Sequence, residues 1–344
     1  MTKIDLRVGD CLEILSKMDE DSVDCVVTSP PYFGLRNYED NTKQIGLEET
    51  PSDYIDKLCE IFTEIKRVLK DTGTIWLNLG DTYTTTTKWG TKPKDLLGIP
   101  WAVAFALRDR VGLYLRQDII WEKPNCMPES VTDRCTKAHE YIFLFSKSQK
   151  YYFDHEAIQE RCLTDEREFA YLYEENGSIL QEQKNQTGKS TRRYSKKSMV
   201  MPGVGGKKYT QDDQSHNGKF ATKSGKKFVS YGMRNKRSVW NVSTKSYTGA
   251  HFAVYPPDLI YPCIKAGCPQ GGVVLDPFAG SGTTGIVAAN NMRKSILIEL
   301  NPEYAELIEK RWRDNGTLFI DLETPEDPEI PEYQQDYLNL ENKK

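Results

Sequence analysis

Asp276-Pro277-Phe278-Ala279-Gly280-Ser281-Gly282-Thr283-Thr284 stands between a hydrophobic run at 272–276 and a helix-forming stretch that reaches about Asn290. A strand that stops at a Gly-rich turn and passes straight into a helix is the ligand-binding corner of an α/β sheet. Gly280 and Gly282 let the backbone pass close to a ligand and leave the helix N-terminus accessible. Glu299 closes the next strand-like run, 295–300, where a carboxylate can accept hydrogen bonds from a ribose diol. The loop is neither a GxGxxG turn nor a P-loop, since no Gly-Lys-Ser/Thr follows. Asp276 is an acid where a phosphate-binding loop avoids one, and it suits a ligand with an ammonium or sulfonium charge. The combination points to S-adenosyl-L-methionine rather than NAD or ATP. On the loop alone, a plain strand-to-helix turn of small residues is the alternative.

Outward from this corner the chain alternates strand-like and helix-like segments. Strands are expected at 3–8, 22–28, 74–79, 117–121, 141–145 and 239–242. Helices are expected at 12–18, 52–69, 100–111, 257–266 and 302–313. The stretch 52–69 repeats Tyr54, Leu58, Ile61, Phe62, Ile65, Val68 and Leu69 at a helical period. Such alternation predicts a parallel sheet covered by helices.

The β-branched run 22–28 breaks off at Ser29-Pro30-Pro31-Tyr32. Two prolines fix φ and remove two N–H donors, so the turn presents rigid carbonyls. A Ser hydroxyl beside a fixed carbonyl can accept both hydrogens of a planar amino group, and Tyr32 offers a face for a flat base. Methylation of an exocyclic amine needs this equipment. The nitrogen lone pair is delocalised into the ring, so the site must hold the NH₂ and favour a pyramidal nitrogen. A structural Pro-Pro turn is the alternative for this motif by itself.

In this order, the two motifs resemble those of the amino-group (N4-cytosine and N6-adenine) DNA methyltransferases of the permuted β class. In that class a Ser/Asp-Pro-Pro-Tyr motif precedes a target-recognition region, and a Phe-x-Gly-x-Gly cofactor loop comes last. The resemblance covers about residues 3–158 and 239–315. It implies an α/β, Rossmann-like S-adenosylmethionine-dependent methyltransferase fold in circularly permuted motif order, with an inserted target-recognition region. The expected divisions are 1–158 for the catalytic half, 159–238 for the insert, 239–320 for the cofactor-binding half and 321–344 for an acidic tail.

The resemblance implies that Ser29, Pro30, Pro31 and Tyr32 are the catalytic motif. It implies cofactor contacts from Asp276, Phe278, Gly280, Ser281, Gly282 and Thr283, and a ribose-binding role for Glu299. Further cofactor contacts are expected from Asp10, which matches the adenine-contacting acid, from Cys11 after it, and from Thr28 at the end of the catalytic strand. The segment 251–258 (HFAVYPPD) resembles the one along the methionine end, with His251 and Phe252 as contacts. Phe252 stands where the family more often has Pro. Ser in the first motif position is commoner in N4-cytosine enzymes, so the implied reaction is methyl transfer to cytosine N4 in duplex DNA, by base flipping and direct transfer. N6-adenine methylation is the alternative, and a non-catalytic DNA-binding protein of the same fold is the second.

The charge distribution agrees with a DNA partner. The chain has 344 residues and a net charge of -4, yet 184–237 holds 15 Lys plus Arg against 2 Asp. That segment is +13 and the remainder -17. Tyr194, Tyr209, Phe220, Phe228 and Tyr231 are interleaved with its basic residues. Lys207, Lys208, Lys226, Lys227, Arg234, Lys236 and Arg237 are the expected DNA contacts. A solvated charged loop is the bland reading. Family resemblance adds a cognate restriction endonuclease as partner, and leaves a monomer or a homodimer open.

The eight cysteines form no CxxC pair, and with four histidines no zinc-site spacing arises, so no metal is expected. Pro262-Cys263 resembles the nucleophile of C5-cytosine enzymes but falls in a helix-like stretch, where a small buried hydrophobe is expected. Asp81 near the end of the 74–79 strand either lines the crevice or caps a loop. No run approaches the roughly 20 apolar residues of a membrane helix, and the first ten residues lack a signal-peptide core. A cytoplasmic protein is expected.

Overall fold

The computed structural model of the chain describes residues 4–34, 44–161, 233–244 and 255–314. His251, Phe252, Lys207, Lys208, Lys226, Lys227, the insert aromatics and the tail 321–344 lie outside them. The chain divides into two compact units, one formed by Met1–Ile158 with Lys236–Lys344 and the other by Gln159–Asn235.

The larger unit is built on an eight-stranded sheet. Its strands are β1 (Ile4–Val8), β2 (Val23–Thr28), β3 (Leu69–Leu79), β4 (Tyr114–Glu122), β5 (His139–Ser146), β8 (Val239–Asn241), β9 (Val273–Asp276) and β10 (Lys294–Glu299). The order across the sheet is β1-β10-β9-β2-β3-β5-β4-β8. All six residues of β2 are buried, as a central parallel strand covered on both faces requires.

Helices α1 (Cys11–Leu15), α2 (Pro51–Val68) and α3 (Ile99–Ala106) pack on one face. Thr50 caps α2 by accepting from Asp53 N at 3.2 Å, and Pro51 sits in the first turn, where its missing N–H costs nothing. Leu58, Ile61, Phe62 and Ile65 then meet Ile75, Leu77, Phe143 and Phe145 from the sheet. On the other face, α4 (Pro257–Gly267) and α5 (Thr283–Asn290) bury Leu259, Cys263, Ile264 and Val287 against Val27, Trp76, Trp121 and Trp240. The last helix, α6 (Pro302–Asp314), contributes Ile308 and Trp312 to a third cluster with Ile4 and Leu297.

Two departures from expectation follow from connectivity. The sheet is not wholly parallel, because β5 runs antiparallel to both β3 and β4. A helical crossover through α3 returns the chain to a parallel β4. Residues 123–138 form no helix, so β5 comes straight back and fills the place between β3 and β4. The expected helix 100–111 keeps α-helical form only to Ala106; Leu107–Val111 widens into a π turn that ends at left-handed Gly112.

In the smaller unit, β6 (Glu160–Arg161) pairs antiparallel with β7 (Met233–Arg234). The unit ends at Asn235, three residues before the expected boundary, and Lys236 and Arg237 go with the larger unit. There the Lys236 ammonium lies 5.0 Å from the Trp240 ring centroid, and Trp240 Nε1 donates to the Arg237 carbonyl at 2.7 Å. These contacts fold the segment before β8 onto Trp240, and Ile120 N donates to the Ser238 carbonyl at 2.8 Å to join it to β4. Among the described residues no helix is long and apolar enough to cross a membrane.

Candidate active site

Two adjacent central strands, β9 and β2, point their C-terminal ends the same way. From one leaves the Gly-rich loop and from the other Ser29-Pro30-Pro31-Tyr32, so residues far apart in sequence share one crevice. The strand tips are joined directly: Thr28 Oγ1 donates to Asp276 Oδ1 at 2.6 Å. Asp276 Oδ2 accepts from Tyr255 OH at 2.9 Å and from Thr284 Oγ1 at 2.5 Å, while Phe278 N donates to Oδ1 at 3.1 Å. A carboxylate suited to a cationic ligand is the expectation; the structure engages this side chain within the protein. Asp276 is fully buried, with both oxygens engaged, and Thr28 is 1% exposed. Burial pushes the Asp276 carboxyl above its ordinary value, against those four hydrogen bonds. Burial first, and the Asp276 charge second, push the Tyr255 phenol up as well.

Ser281 and Thr283 also turn inward. Arg311 of α6 donates to Ser281 Oγ at 2.8 Å, to Thr283 Oγ1 at 2.9 Å and to the Ser281 carbonyl at 2.9 Å. Their hydroxyls thereby tie the loop to α6. Gly282 has φ +74°, and a Cβ there would stand 2.8 Å from Ile308, so the back of the loop lies hard against α6. At Gly280, with φ +53°, a Cβ would meet nothing within 4 Å. The front of the loop is therefore exposed backbone facing open space.

Glu299 borders that space. Its Oε2 accepts from Gly280 N at 2.7 Å and its Oε1 from Asn301 N at 3.0 Å. Burial raises its carboxyl against these backbone hydrogen bonds. Val8 pairs with Glu299 across β1 and β10, which puts Asp10 at the next strand end, where it caps α1 through Glu13 N at 2.9 Å. Cys11 behind it is buried, and burial together with the Asp10 charge pushes its thiol up to about 12. Burial raises the Cys263 thiol too, and it donates weakly to the Leu259 carbonyl inside α4. A protonated, enclosed sulfur is no nucleophile.

The second motif is seated from below. Tyr54 OH donates to the Pro31 carbonyl at 3.0 Å, so this carbonyl is engaged by the protein and fixes the turn. Gly46 and Gly80 make room for Tyr32: a Cβ would lie 2.8 Å from the Tyr32 carbonyl oxygen or 2.6 Å from its ring Cε2. The Tyr32 hydroxyl lies 2.8 Å from Glu140 Oε2, 3.2 Å from Asn78 Oδ1 and 3.5 Å from Ser29 Oγ. Burial, then the Glu140 charge, raise the Tyr32 phenol well above its ordinary value, so it stays protonated. Lys123 forms an ion pair with the other Glu140 oxygen. Asp81 is a cap: it accepts from Gly98 N and Ile99 N, both at 3.1 Å, at the start of α3.

Glu140, Lys123 and Arg311 were not legible as site residues, and Tyr255 was marked only as part of the segment 251–258. Glu140 precedes an apolar strand and Lys123 follows another, an ordinary pattern for strand ends. Only the Glu-Tyr and Trp-Glu-Lys charges flanking those strands were available as a signal. In the smaller unit Arg234, an expected DNA contact, gives its Nε to Glu160 Oε1 at 2.9 Å.

The sequence profile of the N6/N4 DNA methylase family matches residues 23–310. The chain belongs to this family. It is 41% identical over 333 residues to the type II methyltransferase M.XycI of Xanthomonas campestris pv. cyanopsidis, covering 91% of this chain and 88% of the relative. M.SmaI of Serratia marcescens, also a type II methyltransferase, is 41% identical over 325 residues, covering 88% of this chain and 89% of its own. Among solved structures, the PvuII DNA methyltransferase (cytosine-N4-specific) matches with a TM-score of 0.58 at 19% identity, over 98% of this chain and 93% of that one. A DNA modification methylase from Thermus thermophilus, complexed with S-adenosyl-L-methionine, matches with 0.54 at 23% identity, over 93% and 99%. This methyltransferase thus has the Rossmann-like fold of its class, and its motifs stand in the permuted order expected.

Proposed function

We propose that this DNA methyltransferase methylates the N4 amine of cytosine in duplex DNA. The methyl donor is S-adenosyl-L-methionine. The residues present suit it: exposed backbone at Gly280 opens a path along the loop, and Glu299 and Asp10 stand at neighbouring strand ends for the ribose and adenine. When bound, it supplies an electrophilic methyl carbon on a sulfonium sulfur.

The chain's task is then to hold the amine in line. The half-buried Ser29 hydroxyl, on a turn stiffened by two prolines and anchored by Tyr54, is the observation that supports the reading. Its oxygen accepts from the target NH₂ and favours lone-pair density on the side of the methyl group. Tyr32 stacks on the flipped base. Ser in this position, and the named specificity of the PvuII enzyme that shares the fold, favour cytosine over adenine. The basic insert supplies phosphate contacts. Type II relatives support a cognate restriction endonuclease as partner.

Unmethylated duplex DNA, incubated with labelled cofactor, digested and analysed by mass spectrometry, tests this. N4-methylcytosine is expected. N6-methyladenine would replace cytosine as the target, and no methylated nucleoside would favour a non-catalytic DNA-binding protein.

A further inference from the structure

We propose that Glu140 is a positioning residue that sets the direction of the Ser29 hydroxyl, so that Ser29 meets the target amine as an acceptor. The inference rests on the reading of Ser29 as the amine-binding group. The Tyr32 hydroxyl oxygen has three polar neighbours. Glu140 Oε2, at 2.8 Å, is a carboxylate oxygen and can only accept. Asn78 turns its Nδ2 to the Tyr141 carbonyl at 3.0 Å and to Glu140 Oε2 at 3.2 Å. Its Oδ1 is thereby left toward Tyr32, at 3.2 Å, as a second acceptor.

The tyrosyl proton is committed to one of these acceptors. Its lone pairs therefore face the third neighbour, Ser29 Oγ at 3.5 Å, the longest link. Ser29 can engage Tyr32 only by donating. With its single proton drawn inward, it presents lone pairs to the crevice, which an amine N–H requires. Lys123, paired with the other Glu140 oxygen, holds the charge in place, and its own ammonium sits 4.3 Å from the Trp121 ring centroid. Glu140 itself is 16% exposed on its side chain and reaches the target only through Tyr32 and Ser29.

Glu140→Gln keeps the shape but brings an NH₂ that can donate to Tyr32 and compete with Ser29. Single-turnover methylation of a duplex oligonucleotide should slow about tenfold or more. Dissociation constants for S-adenosyl-L-methionine and for the duplex should stay within about twofold, a split that a loosened site would not show. The decisive measurement adds Glu140→Gln to Ser29→Ala. Acting only through the serine hydroxyl, it should cost less than about twofold further. Multiplying losses would overturn the proposal, as would an unchanged rate in the single variant. Should Glu140→Gln fail to fold, Tyr32→Phe keeps the ring and the Lys123–Glu140 pair and faces the same comparison. Either methylated nucleoside serves as the readout, so a wrong target base and a wrong role for Glu140 fail separately.

Discussion

Thr28 donates its hydroxyl to the Asp276 carboxylate across 2.6 Å, tying the tip of the strand that carries Ser29 to the strand that carries the Gly-rich loop. The two residues lie 248 positions apart, and Tyr255 and Thr284 close on the same carboxylate. The tips of the two motif-bearing strands are thus held in register by one buried carboxyl rather than by each half separately.

That carboxyl has a pH signature. Burial raises the Asp276 carboxyl, and such a group contributes stability fully below its unfolded value, near 4, and loses it as pH rises through the folded value. Asn does not titrate. The melting temperature of Asp276→Asn relative to the native protein should therefore rise between about pH 4 and pH 7. A difference flat across that range would show that the carboxyl titrates as in the unfolded chain.

The two loop glycines should fail differently. In Gly282→Ala the new Cβ would press on Ile308 at 2.8 Å with φ at +74°, so thermal stability should drop clearly. Gly280→Ala meets no protein atom, and its positive φ should cost only about 1–2 kcal/mol. Its methyl group would stand in the ligand's path, and calorimetry should find cofactor affinity lost beyond that cost. Undiminished affinity would place the ligand elsewhere.

Glu299→Ala should weaken S-adenosyl-L-methionine binding by about 1–3 kcal/mol. Part of the loss comes through the loop, because Gly280 N would lose its acceptor at 2.7 Å. Titration of the folded variant checks this, and unchanged affinity removes the ribose role.

Gly80→Ala should slow methyl transfer while sparing cofactor binding. The added Cβ would fall 2.6 Å from the Tyr32 ring, displacing it from its seat. A normal rate in this variant would mean that the ring position does not matter to turnover.

DNA binding should be steeply salt-dependent. If the insert neutralises roughly 5–8 phosphates, log K falls with log[salt] at about -0.9 per phosphate. Neutralising Lys226 and Lys227 should make that slope shallower by about one or two units, whatever the DNA sequence, with cofactor affinity unchanged. An unaltered slope would remove these lysines from the interface.

Local chemistry made much of this protein legible from its residues alone. The β-branched run ending at Thr28, the periodic 52–69 helix and the Gly-rich turn after Asp276 each carry their structure in side-chain type and spacing, and each forms as read. Motif order then implied the permuted fold. What the tertiary structure decided is which way the site residues face. Asp276, Thr28, Ser281 and Thr283 read as ligand contacts, yet Thr28 and Tyr255 close on Asp276, and Arg311 on Ser281 and Thr283, from distant segments and turn them inward. Glu140 was hidden for a topological reason. In a parallel β5 its first residues would lie at the far end of the sheet. Because β5 runs against β3, Glu140 arrives beside Asn78 and Tyr32, and the direction of a strand is set by its neighbours rather than its own sequence.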